Sequence, residues 1–126
     1  MNRAIELRGS RIEFILPQGE QTTIELNPAV LHESEGKPGI DAGAGFLQNV
    51  HLQLKTADIT SFIDELPVRI THGTIVAGEK TLDNFIPLPL IHLGHTEIEL
   101  KTDKGSVLKL TANSAVAILT GEKKAL

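Results

Sequence analysis

The stretch from Glu97 to Leu119, EIELKTDKGSVLKLTANSAVAIL, alternates apolar and polar residues so regularly that it narrows the choice of fold more than any other part of the chain. A period of two belongs to strands with one face buried and the other in water. Gly105 can take the left-handed backbone that closes a hairpin loop over Asp103, Lys104 and Gly105. The register then sets Leu100 against Leu108 and Ile98 against Leu110, with Glu99 against Lys109 on the opposite face. A slip of one residue would turn the leucines to water, so this register is strongly specified. A second turn around Ala112, Asn113 and Ser114 would return Val116 to Leu110 and Ile118 to Leu108. That third strand is apolar on both sides, since Ala115, Ala117 and Leu119 occupy its other face, and it needs a cover there.

The N-terminal part gives a second meander. Gly9-Ser10 suits a tight hairpin that sets Leu7 against Ile12 and Ile5 against Phe14, and Pro17-Gln18-Gly19-Glu20 makes the next turn. Thr22, Ile24 and Leu26 would then answer Leu16, Phe14 and Ile12. Asn27 to Gly36 carries helix signals: an N-cap asparagine, Pro28 at the first helical position and a glycine stop. Ile59, Phe62, Ile63 and Leu66 recur at helical spacing up to Pro67 and predict a second short helix, placed to cover the doubly apolar last strand. Between these, Asn49 to Lys55 alternates as a strand. Val68 to Val76 is a strand that His72-Gly73 bulges or bends. Pro87 and Pro89 restrict Phe85 to Leu93 to a sheet edge or a crossing segment. The expectation is a mainly β single domain over residues 1–126: a small antiparallel β-barrel or barrel-like sandwich with two short helices, the alternative being an α+β sandwich.

Composition limits the function. With no cysteine, disulfides, thiolate metal sites and thiol nucleophiles are excluded, and a reducing, cytoplasmic setting is expected. A formal charge of −4 and four phenylalanines without Trp or Tyr argue against a nucleic-acid partner. No apolar run is long enough for a membrane-spanning helix, and the N-terminus lacks the hydrophobic segment of a signal peptide.

Candidate site residues are few. His92, His95 and Glu97 offer two imidazoles and a carboxylate, the donor set of a divalent metal centre, provided Gly94 bends the chain enough to bring them together. The glycine-rich segment Gly36 to Phe46 could form an anion nest around Gly39, Gly43 and Gly45 with Lys37 beside it, although its spacing matches no phosphate-binding motif. His72 is a candidate general acid or base, with Asp64 or Asp83 as its partner. No Gly-x-Ser-x-Gly elbow is present. The leading expectation is therefore a non-catalytic binding or assembly module with no cofactor, forming a homo-oligomer through a β edge or the apolar face of the last strand. A metal-dependent enzyme or small-molecule-binding barrel built on His92, His95 and Glu97 is the alternative.

Overall fold

The computed structural model describes residues 1–62 and 64–126. Its strands are β1 (Asn2–Glu6), β2 (Arg11–Gln18), β3 (Gln21–Ser34), β4 (Gly43–Lys55), β5 (Asp58–Ser61), β6 (Val68–Ala77), β7 (Lys80–Asp83), β8 (Phe85–Leu88), β9 (Ile91–His92), β10 (Thr96–Thr102), β11 (Val107–Ala112) and β12 (Ser114–Ala125). Every pairing is antiparallel, along the order β5-β11-β10-β6-β2-β3-β4-β12-β9, with β1 joined to β3 and β8, and β7 to β6. The path has two ends, so the sheet does not close into a barrel. The mainly β expectation holds, whereas the two helices do not form: no helix occurs among the described residues, and so none long and apolar enough to cross a membrane.

The hairpin of β10 and β11 has the register that its alternation dictates: Leu100 opposite Leu108, Ile98 opposite Leu110, Glu99 opposite Lys109. Gly105 closes the loop at φ +84. The apolar side of this hairpin is buried together with Ile24 and Leu26 of β3 and Val50, Leu52 and Leu54 of β4 in one cluster. The two halves of the sheet are joined where Arg11 and Ile12 of β2 pair with Arg69 and Val68 of β6, a junction continued by the Gly9 amide donating to the Ile70 carbonyl at 2.9 Å and the Ile70 amide to the Ser10 carbonyl at 2.8 Å. The sheet folds back there, so that its halves share a core in which each fully buried Leu or Ile contributes about 1.5–3 kcal/mol. Gly73 of β6 lies opposite Leu100, and a Cβ at that position would stand 2.7 Å from both Leu100 Cδ2 and Leu7 Cδ1. Its bare backbone admits both leucines. The bulge expected here is present: Lys101 faces His72 and Thr102 faces Ile70, which leaves Thr71 unopposed.

Four local expectations give way to pairing between distant segments. The segment Asn27–Gly36 is not a helix, because β3 runs through it to Ser34 with Leu26, Ala29 and Leu31 fully buried. Asn27 and Pro28 form a bulge, standing against Asn49 alone, and a bulge tolerates a residue without an N–H as readily as a first helical turn does. What decides the outcome is that β3 has partners on both edges: β4 throughout, β2 along Gln21–Leu26 and β1 along Val30–Ser34. In place of the second helix, β5 adds to the outer edge of β11, with Ile59 opposite Leu110, while Phe62 and Leu66 pack against the core and Ile63 lies outside the described residues.

The chain does turn at Gly9, φ +85, with the Ser10 amide donating to the Leu7 carbonyl at 3.0 Å. Yet β1 and β2 do not form a hairpin. The buried Ser10 Oγ donates to the Glu6 carbonyl at 2.7 Å and accepts from the Val30 amide at 3.0 Å, which fastens the turn to the second half of β3. Finally, β12 does not return along β11. The Asn113 amide donates to the Lys55 carbonyl at 2.8 Å, and β12 continues beside β4 with Ala115 opposite Leu54 and Ala117 opposite Leu52. The core itself covers the Ala115, Ala117 and Leu119 face.

Candidate functional site

The outward side of β2, β3, β4, β12 and β9 is the unusual surface of the molecule, and a bulge in β2 creates it. Ile12 pairs with Leu26 but Phe14 pairs with Glu25, so Glu13 is the extra residue. Beyond it the strand has changed face: Ile15, opposite Ile24, packs on the core, while Phe14 and Leu16 point to water at 37% and 43% exposure. This corrects the inward placement of Phe14 and Leu16 that simple alternation implied. At the other side of the same face, Ile118 is 39% exposed and Ile91 of β9 65%, with Val116 between them half-buried.

The registers align these residues into two rows. One runs Phe14, Glu25, His51, Ile118, and the other Leu16, Thr23, Gln53, Val116, Ile91. Each row is thus apolar at both ends and polar in the middle. His51 Nε2 lies 3.3 Å from Glu25 Oε1, and the Phe14 and His51 rings meet edge to face at 6.5 Å between centroids. Along its other edge β12 pairs with β9 at Ala115 and Val116, and the Ala117 amide donates to the Leu90 carbonyl at 3.0 Å.

The outward side of β6, β10, β11 and β5 differs. An open groove of about 450 Å³ is lined there by Thr60, His72, Thr74, Glu97, Glu99, Lys101 and Lys109, among others. His72 Nε2 stands 2.9 Å from Asp83 Oδ1, which also accepts from Thr74 Oγ1 at 3.2 Å. Of the two carboxylates considered for His72, Asp83 is therefore its neighbour, whereas Asp64 accepts a hydrogen bond from the Thr102 hydroxyl. An imidazole oriented by a carboxylate can move a proton.

The other sequence-derived candidates fall as follows. His92, on β9, directs Nε2 at the backbone carbonyl of His95, 3.2 Å away, and its ring lies over Gly78 and Gly94. His95 and Glu97 are exposed. Among the described residues no group of three or more His, Cys, Asp or Glu is placed to hold a metal ion. In the glycine-rich segment, Gly43 and Gly45 are residues of β4 opposite Ser34 and His32. Gly39 lies in a turn against the Phe85 ring, and the Lys37 amide donates to Asp41 Oδ2 at 2.7 Å, so a carboxylate of the chain already occupies the place an anion would take. Sequence reasoning missed Phe14, Leu16, Glu25 and Ile91. The available signal was that Ile12, Phe14, Ile15 and Leu16 cannot all point inward from one regular strand.

No family model, curated protein or solved structure matches this chain.

Proposed function

We propose that this chain is a non-catalytic cytoplasmic assembly module that self-associates through the outward face of β2, β3, β4 and β12. The observation that carries this reading is the pair of apolar flanks, Phe14 with Leu16 exposed on one side and Ile118 with Ile91 exposed beside half-buried Val116 on the other, either side of the Glu25–His51 pair. Apolar side chains clustered at a solvent face mark an interaction site, whereas isolated exposed apolar residues need no explanation. The cytoplasmic setting follows the cysteine-free composition.

Sedimentation velocity across a concentration series tests it. The wild-type chain is expected to shift from monomer toward dimer as concentration rises. A Phe14→Ser, Ile118→Ser double variant should remain monomeric with an unchanged circular dichroism spectrum. A wild-type chain that stays monomeric at the highest concentration refutes the proposal.

A further inference from the structure

Given that reading, we infer that the partner is a second copy of this chain, seated face to face about a two-fold axis that runs along the strands between β3 and β4. The order across the face is apolar on β2, acidic or hydroxyl on β3, imidazole or amide on β4, and apolar on β12. Rotation about such an axis lays β2 of one copy over β12 of the other and β3 over β4, while the rows stay in place. Phe14 then meets the other copy's Ile118, and Leu16 its Val116. Glu25 meets the other copy's His51, and the two intrachain pairs become a ring of four alternating groups.

The competing two-fold axis, perpendicular to the strands, lays β3 on β3 and β4 on β4. Placed between the rows, it sets Glu25 over Thr23 and His51 over Gln53, which pairs each ionisable group with a neutral one. Placed on the row itself, it sets Glu25 over Glu25. Charge complementarity therefore selects the axis along the strands, and an isologous contact of this kind closes after two copies. Its size is modest. Five strands at about 4.8 Å spacing and four rows about 6.8 Å apart, the two above with the Gln21–Lys55–Ser114 and Asn49–Thr120 rows on either side, make a face of at most roughly 650 Å², below the ~800 Å² per partner of a standard interface. The dimer is accordingly weak and dependent on concentration.

The absence of native cysteine makes the geometry directly testable. Packed sheets lie about 10 Å apart, beyond the ~7 Å reach of a disulfide, so a short bis-maleimide is the suitable probe. Phe14→Cys and Ile118→Cys are made separately, at positions 37% and 39% exposed, and each is checked for an unchanged circular dichroism spectrum. An equal mixture of the two is expected to give a cross-linked heterodimer, with cross-linking lost for either variant alone. In the mixed dimer one Phe14–Ile118 contact survives intact, which keeps the complex assembled during the reaction. Cross-linking of Phe14→Cys with itself would establish the perpendicular axis and overturn the inference. A wild-type dimer in sedimentation without any cross-link in the mixture would place the interface elsewhere and overturn it too, leaving self-association standing. A wild-type monomer at every concentration would remove both.

Discussion

The two outward faces of the sheet are built by the same backbone and end with opposite properties. On β10 every outward position from Glu97 to Lys101 is charged, and Glu99 stands opposite Lys109 of β11. On β2 and β12 the outward positions include Phe14, Leu16 and Ile118. Both faces hide an equally apolar inner side, so burial alone does not distinguish them. The difference teaches that the inner face of a strand specifies the fold, while the outer face specifies which surface stays in water and which is free to meet another molecule.

The largest effect should show that the inner sides are equivalent. Leu100→Ala in one half and Leu52→Ala in the other each remove a side chain of at most 1% exposure. Each should cost about 2–5 kcal/mol, read as a lower midpoint in urea with a single transition preserved. Two separate transitions would mean that the halves do not share a core. Next in size is a contrast between two glycines. Alanine at Gly73 drives a Cβ into two buried leucines, a cost of about 1–3 kcal/mol. Alanine at Gly45 meets only Leu126, whose side chain is exposed and can swing aside, so its effect on the same unfolding curve should be slight. Equal losses at both sites would contradict the packing described for Gly73. The smallest effect belongs to the charged face: Glu99→Lys sets like charges directly across the hairpin and should cost about 0.2–1 kcal/mol. That loss should shrink as salt is added, since the pair is exposed. A salt-independent loss would point to packing in place of charge.

The parts of this fold that were legible in the sequence are those whose determinants lie close together. The β10–β11 register, the bulge beside Gly73 and the confinement of Pro87 to β8, which among the described residues pairs with β1 alone, each follow from a few adjacent residues. The helices were misread because Asn27-Pro28 and the spacing of Ile59, Phe62 and Leu66 are local preferences worth little against two-sided strand pairing for β3 and a free edge on β11. The course of β12 depends on β4, whose paired residues lie about sixty to eighty positions earlier, and no turn chemistry at Asn113 encodes that choice. For the candidate site, the apolar character of Val116 and Ile118 was visible, but its partner flank was not. Alternation assigns Phe14 inward, and only the extra residue Glu13 turns it out. The His72–Asp83 neighbour relation was among the combinations the sequence offered, though only the β6–β7 pairing chooses it over Asp64.

Strand β1 sits between β3 and β8, its Ala4 and Ile5 buried, with Arg3 paired to Leu88 on one side and to Glu33 on the other. As the chain leaves the ribosome at roughly 5–20 residues per second, β1 precedes its β8 partner by several seconds. Until then Ile5 has a half-built berth at best. A strand made early is thus completed late, and the finished domain depends on a segment that waits through roughly eighty residues of synthesis for its second partner.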